Sequence, residues 1–424
     1  MVNLESELTI QTFNKNPEVF MSRPELLIPA GNLEKLRTAV LYGADAVYVG
    51  VAGLSLRAKQ AEFSMEDLEL GTKEAHQKGV KVYGALNIFA RNRDLDKVAK
   101  TVNNLADLKI DGLIISDPGV LETVKKIQPG IPIHLSTQAN TTNAAAVRFW
   151  KNQGVERVVL ARELTLAEIG EIAGEVPEVE VELFIHGAMC MAYSGRCYLS
   201  AFRNRRSSNQ GDCTQPCRWE YRLVESTRPN SPLIVEEDDN YSYLLSSKDL
   251  CMIEYLPEVL KSGVTSLKVE GRMKSAYYVA VVTRAYRWAL DAYLKDSDHY
   301  QCLPEWVAEL EKISYRGYTT GFYFQDQKIN ETNPGVKYIQ THDLAGTVLE
   351  YDRIEKRILV GVRNRLSGDD QVELLLPNDT IDLDLSRMTD SQGSPIREAH
   401  NGYQVYLPYT AEVPKGTVLR RRIV

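Results

Sequence analysis

The residues with the clearest chemistry are four cysteines spaced Cys190-x6-Cys197-x15-Cys213-x3-Cys217, within 28 positions of one another. Thiolates are soft ligands for zinc and for iron–sulfur clusters. Structural zinc usually draws on close CxxC-type pairs, and neither short spacing here is of that kind. Iron–sulfur clusters accept looser spacing, and four thiolates on an irregular, glycine-bearing loop can wrap a cuboidal core. Free cysteine is also among the most buried residue types, so simple packing is the competing reading. The polar, arginine-bearing surroundings argue against packing, and iron–sulfur is preferred to zinc. Cys251 and Cys302 stand in helical or connector contexts and are read as packing residues.

Arginines crowd the same stretch: Arg196, Arg203, Arg205, Arg206, Arg218 and Arg222, against few acids. Such a run often marks a solvated face. Interleaved with Tyr193, Tyr198, Phe202, Trp219 and Tyr221, it can also grip phosphates and stack a splayed base. Arginine forks suit the carboxylates of a small substrate equally well. A second set of polar residues ends short apolar runs elsewhere: Asn87, Ser116, Asp117, Thr137, Gln138, Arg162, Glu163 and His186, then Lys268, Glu270 and Arg272. On a strand, Glu182, Phe184 and His186 share one face, as do Lys268 and Glu270. Glu182 is read as a structural partner filling an interior.

These residues need a scaffold that brings strand ends together. Eight apolar runs supply it: Glu25–Pro29, Ala46–Gly50, Val80–Asn87, Gly112–Ser116, Ile131–Ser136, Arg157–Ala161, Glu180–His186 and Ser266–Glu270. Near-continuous apolarity suits strands buried on both faces of a parallel sheet. The intervals carry helical periodicity, as in Asn32–Tyr42, and Ser64 precedes an acidic first turn in the manner of an N-cap. The expected fold is α/β, a closed (β/α)8 TIM-like barrel over 23–296, with an open doubly wound sheet as the alternative. About 80 residues separate the seventh and eighth runs, more than twice any other interval, and all four clustered cysteines lie there. This cysteine-rich insertion, at about 187–247, enters the face where barrel enzymes keep their sites. Residues 1–22 read as an N-terminal extension and 297–335 as a connector with an aromatic cluster. From 336 to 424 short strands follow one another without a helical pattern, as expected of a small β-barrel domain.

Composition sets outer bounds. Of 424 residues, 44% are hydrophobic and 25% charged, which allows a sizeable core. No apolar run is long enough to span a bilayer, and the N-terminal run lacks the basic start and apolar stretch of a signal peptide. A cytoplasmic, membrane-free protein is expected, and its reducing surroundings disfavour disulfides among the 6 cysteines. The formal charge of −7 means that any contact with nucleic acid uses a local basic patch. HExxH, G-x-S-x-G and P-loop motifs are absent, so hydrolysis has weak support.

The run Glu182-Leu-Phe-Ile-His-Gly-Ala-Met-Cys190, followed by Tyr-Ser-Gly-Arg-Cys197, resembles the signature of the collagenase-like peptidase family of unknown catalytic mechanism. RPELLIPAGNLEKLRTAVLYGADAVYVG resembles that family's opening unit, and SSKDL, LKVEGRMKSAYYVAVVTRAYRWAL and YRGYTTGFYF resemble its later blocks. Function in that family ranges from proteases to oxygen-independent hydroxylation of tRNA, ribosomal RNA or ubiquinone precursors. The length and C-terminal β domain look most like the tRNA branch. That branch implies hydroxylation of the wobble uridine, in the anticodon region of tRNA, to 5-hydroxyuridine. Prephenate is the implied hydroxyl donor and co-substrate, and a paralogous partner subunit is a further possibility. The resemblance also implies a 4Fe–4S cluster on Cys190, Cys197, Cys213 and Cys217. Four protein thiolates saturate such a cluster, which favours a redox or structural role over Lewis-acid chemistry. From strand-end position, His186, Glu270 and Arg272 are candidate catalytic residues. Arg162 and Lys268, with Arg203, Arg205 and Arg206, are candidates for binding substrate. A metal-containing collagenase-like peptidase and a non-enzymatic RNA-binding factor with a structural metal site are the alternatives.

Overall fold

The computed structural model describes residues 23–51, 53–56, 63–190, 192–219, 247–324 and 338–423. The expected N-terminal extension, Tyr221, Arg222 and much of the second half of the expected insertion lie outside them.

Eight parallel strands close into a barrel: β1 (Glu25–Ala30), β2 (Ala46–Gly50), β3 (Lys81–Leu86), β4 (Gly112–Ile115), β5 (Ile133–Leu135), β6 (Arg157–Val159), β7 (Glu180–Ala188) and β8 (Ser266–Val269). Each pairs with the next, and Ser266 of β8 stands opposite Glu25 of β1 and Glu182 of β7, which completes the ring. The ring settles the choice between barrel and open sheet. Helices α1 (Leu33–Leu41), α2 (Met65–His76), α3 (Asn92–Ala106), α4 (Pro118–Ile127), α5 (Ala144–Asn152) and α6 (Leu166–Glu175) follow the first six strands. Their starts are written locally: Ser64 Oγ accepts from Asp67 N at 3.0 Å, and Asp117 Oδ1 accepts from Gly119 N and Val120 N. Between strands and helices lies the main apolar core; inside the barrel a small cluster including Leu27, Tyr48, Tyr83 and Ile114 sits with charged neighbours.

The interval between β7 and β8 carries α7 (Leu199–Asn204), a three-residue strand Asp249–Cys251 antiparallel to the end of β7, and α8 (Leu256–Lys261). Helix α9 (Ala276–Lys295) follows β8, and α10 (Pro304–Leu310) follows α9. The connector is not a free tether. Its Tyr318–Thr319 adds a strand beside Asp249–Cys251, and Tyr323 Oη donates to Phe184 O at 2.6 Å.

The C-terminal residues form the expected all-β unit, a seven-stranded antiparallel sheet running from Thr380–Leu383 at one edge to Thr389–Asp390 at the other. It has its own apolar core around Val348, Val360, Leu374 and Leu407. Buried polar contacts fix it to the barrel. Tyr42 Oη bonds Leu375 O, Arg284 Nη1 donates to Leu376 O and Asp379 O, and Glu309 on α10 bridges Arg284 and Arg420. Both arginines are almost wholly shielded from solvent, and separating the two units would break the buried Glu309–Arg420 pair. Among the described residues no helix is long and apolar enough to cross a membrane.

Candidate active site at the barrel mouth

The cysteine insertion folds back over the C-terminal ends of the strands, where three sets of contacts hold it. Ser194 N and Oγ both donate to the Glu163 carboxylate after β6, and Arg162 N donates to Ser194 Oγ at 3.2 Å. Arg196 Nε donates to Gln138 O at 2.7 Å while its guanidinium lies over Phe89 at 5.1 Å. Phe89 N donates to Asn209 O at 3.0 Å. Glu163, which sequence position alone places at the mouth, is therefore an anchor for the insertion. Asp117 is likewise committed, as the cap of α4.

Under this cover lies a cavity lined by Cys190, Cys197, Cys213 and Cys217 together with Arg162, Lys268, Glu270 and Arg272. Side chains as far apart in sequence as Arg162 and Arg272 thus meet in one space. All four thiols are free. Three of them accept a backbone N–H two residues on, at 3.4 Å: Ala192 N to Cys190, Leu199 N to Cys197 and Gln215 N to Cys213. Backbone N–H dipoles aimed at sulfur are among the features that tune an iron–sulfur centre. Burial pushes the Cys217 thiol up, and the nearby Cys190, Cys213 and Cys197 add to this against Arg218. Four mutually repelling thiols are a set that a cationic metal core relieves. Among the described residues no three His, Cys, Asp or Glu side chains are gathered tightly enough for a single ion. Four cysteines lining one space are the donor set that an iron–sulfur core would take.

The floor of the cavity is set by charges inside the barrel. Glu182, wholly buried, accepts from Lys268 Nζ at 2.6 Å and Arg157 Nη1 at 3.2 Å. Burial alone would raise its carboxyl, but Lys268 and Arg157 hold it down at about 2. Lys268 lies over the Tyr48 ring at 4.5 Å, and Tyr48 Oη bonds Val269 O at 2.9 Å and reaches Glu270 Oε2 at 3.4 Å. Arg162 lies against the Phe184 ring at 5.8 Å, with its Nε buried and unbonded. Asn87, Ser136 and Gln138, also in the lining, form a connected polar group. Tyr48 and the buried Arg316–Asp249 pair, at 2.6 Å, were not singled out in the sequence. Tyr48 lies mid-strand in an apolar run, and Arg316 comes from the connector, so neither carries a local signal.

Other candidates fall elsewhere. His186 is not among the residues lining the cavity. Phe184 of β7 faces Lys268, but the register slips by one residue before His186 meets Val269. That extra residue turns His186 off the interior face. It packs instead against Tyr286, Tyr318 and Tyr278, with ring centroids 5.5, 5.5 and 6.0 Å away. Burial pushes its imidazole down to about 3. Arg203, Arg205 and Arg206 lie on the exposed outer side of the insertion, and Arg206 pairs with Asp212.

The buried His186 makes a testable statement about acid stability. Its folded value lies below its unfolded value of 6.5, so the unfolded chain binds the proton first as pH falls. The contribution is complete above pH 6.5 and is lost progressively toward pH 3. His134, pushed down by burial to about 3, acts in the same direction. Between about pH 6.5 and 5 the carboxylates contribute little. In that window His186→Phe is expected to flatten the fall of melting temperature with acidity. An unchanged slope would show that His186 is not held neutral.

Residues 31–333 match the model of peptidase family U32, and residues 340–420 that of the peptidase family U32 C-terminal domain. The chain is 39% identical over 402 residues to tRNA hydroxylation protein P1 of Bacillus subtilis (strain 168), covering 93% of this chain and 94% of that protein. It is 35% identical over 311 residues to a 23S rRNA 5-hydroxycytidine synthase of Escherichia coli (strain K12), covering 71% and 45%. It is 33% identical over 318 residues to a collagenase of Porphyromonas gingivalis, covering 72% and 75%. With both its barrel and its C-terminal sheet matched in order, the chain belongs to peptidase family U32.

Proposed function

We propose that this protein hydroxylates RNA: it converts the wobble uridine of tRNA to 5-hydroxyuridine, with prephenate as hydroxyl source and a 4Fe–4S cluster on Cys190, Cys197, Cys213 and Cys217. The observation that carries the reading is the meeting of four thiols with Arg162, Lys268, Glu270 and Arg272 in one cavity at the barrel mouth. Relatives named for hydroxylation of tRNA and of ribosomal RNA support it. Replacing C–H by C–OH with oxygen at the level of water releases two electrons and two protons, so an external electron acceptor is required; a cluster held by the four cysteines would supply one-electron redox chemistry for passing the electrons on. The chain's own residues supply the rest. Arg162 and Arg272 hold the carboxylates of the donor, and the unbonded Nε of Arg162 gives it a donor still to use. Glu270 offers a carboxylate at the cavity wall to take a proton. Lys268 is neutralised by Glu182 and fixes the local field. Asn87 and Gln138 present the amide donors and acceptors that a uracil edge needs.

Two measurements test this. In tRNA from a deletion strain grown without oxygen, 5-hydroxyuridine is expected to fall and to return with the wild-type gene but not with Cys213→Ala; wild-type levels in the deletion strain would defeat the proposal. For purified protein, Arg162→Ala is expected to raise the prephenate concentration giving half-maximal rate by about 10- to 100-fold, the range for one charge-assisted bond. A change in kcat alone would move Arg162 away from the carboxylates. The peptidase reading follows from the family label, but no histidine lines the cavity to activate a thiol or hydroxyl among the described residues. Cleavage of peptides by metal-replete protein, abolished by a substitution in the cavity, would restore it.

A further inference from the structure

The cysteine insertion has two faces, and the proposed function uses one. Its inner face carries Cys197, Cys213 and Cys217 to the cavity. Its outer face is aromatic and basic. Seven aromatic side chains are largely exposed among the described residues, and four of them, Tyr193, Tyr198, Phe202 and Trp219, belong to this one short segment. Tyr198 and Phe202 stand one turn apart at α7 and are 82% and 83% exposed. Rings of this size are normally at least half covered, so two adjacent bare ones mark a surface awaiting a partner. Between residues 192 and 219 the chain has five arginines and one acid, Asp212, in a protein of formal charge −7. Arg203 and Arg205 are exposed on either side of the end of α7. Positive charge beside open π faces complements a polyanion with unpaired bases. An apolar protein partner would need neither the arginines nor rings in place of aliphatic side chains.

We propose that the outer face of the insertion is a stacking platform for unpaired RNA bases, formed by Tyr193, Tyr198, Phe202 and Trp219, with Arg203 and Arg205 holding the adjoining phosphates. It rests on the reading of the protein as an RNA hydroxylase and adds what that reading leaves open, namely how the loop is held while one base enters the cavity. Trp219 follows Arg218, which lines the cavity and donates to Tyr338 Oη at 3.0 Å. The platform is therefore continuous with the rim. A loop whose bases are already unstacked lies across it at little cost, whereas a continuous duplex offers no free base to stack.

The test uses the full-length protein purified without oxygen, a fluorescent RNA stem–loop carrying uridine in its loop, and a blunt duplex of the same stem. Tyr198→Ala with Phe202→Ala is expected to weaken stem–loop binding about 10- to 100-fold, as loss of base stacking does, and to leave duplex binding as it was. Phe202→Trp is expected to bind normally and Phe202→Leu to bind like Phe202→Ala, because stacking needs a ring and not merely apolar area. Arg203→Gln with Arg205→Gln is expected to lower the dependence of log affinity on log salt by about one to two units. Unchanged stem–loop affinity in the ring variants, with the absorption spectrum of the wild type retained, would overturn the platform. So would equal binding by Phe202→Leu and Phe202→Trp. If RNA affinity is unchanged but turnover falls with cell extract as electron acceptor and not with a small-molecule oxidant such as ferricyanide, the face belongs to a protein electron acceptor, and the platform is overturned too. The two readings fail separately. Loss of stem–loop binding in the ring variants, in a strain whose deletion leaves 5-hydroxyuridine intact, would remove the hydroxylase and keep the platform.

Discussion

Cys213→Ala protein purified without oxygen is expected to contain no acid-labile sulfide and no visible absorption band, and the wild type is expected to hold about four irons and four sulfides per chain. The substitution removes one of four thiols facing a single cavity, whose described lining holds no histidine and, of the carboxylates, Glu270 alone. The backbone N–H of Gln215, which bonds the Cys213 sulfur at 3.4 Å, would lose its acceptor as well. Folding should survive, because the insertion is also held by the bonds of Glu163, Gln138 and Asn209 to Ser194, Arg196 and Phe89, which do not run through Cys213. Circular dichroism and melting temperature close to wild type, with iron and sulfide lost, are the expected pair of results. Stoichiometric zinc without sulfide in the wild type would instead make the loop a structural site, and the hydroxylase reading would lose its redox group. Iron retained by Cys213→Ala at the wild-type level would remove Cys213 from the ligand set.

The barrel was legible in the sequence because each strand is buried on both sides and announces itself as an unbroken apolar run. Val47 and Val49 pack outward while Tyr48 faces inward, yet all are apolar. The cysteine insertion was legible as an interruption of that rhythm. What could not be read is whatever depends on register or distant pairing. The outward turn of His186 comes from a one-residue slip against β8, and no local pattern announces a slip. Asp249–Cys251 is too short to show an alternation and exists because β7 runs on to Ala188 and offers it an edge. Arg316 reaches the cavity from the connector through Asp249, a pairing 67 positions apart in sequence. Lys268, Glu270 and Arg162 were identifiable because barrel geometry sends strand ends to one place. Arg203, Arg205 and Arg206 were not separable from them by composition, and it took the fold of α7 to turn them outward.

Glu182→Gln is expected to destabilise the protein by about 3–5 kcal/mol, the cost of removing one partner from a buried ion pair. Glutamine fills the same volume, so the effect is electrostatic. Lys268 would remain at 4% exposure with the carboxylate it pairs with gone, while Arg157 keeps Glu25 and Glu180. Against a typical total of about 5–15 kcal/mol, such a loss brings the barrel near its threshold. The sign with pH is fixed by the depressed carboxyl of Glu182. Its stabilisation is present above the unfolded value of 4.5 and is lost as pH falls toward about 2, and Glu182→Gln should remove that part of the acid limb. The double substitution Glu182→Leu with Lys268→Met separates stability from function. Apolar side chains of similar size replace a buried pair with little loss, so the double variant should melt closer to wild type than Glu182→Gln does. It would nevertheless lack the ammonium beneath the cavity, and hydroxylation should stay low in spite of restored stability. If Glu182→Gln melts within about 1 kcal/mol of wild type, Lys268 has found another partner and the pair is not what holds the floor of the site. If the double variant is fully active, Lys268 serves packing alone, and the charge that acts on substrate comes from Arg162 and Arg272.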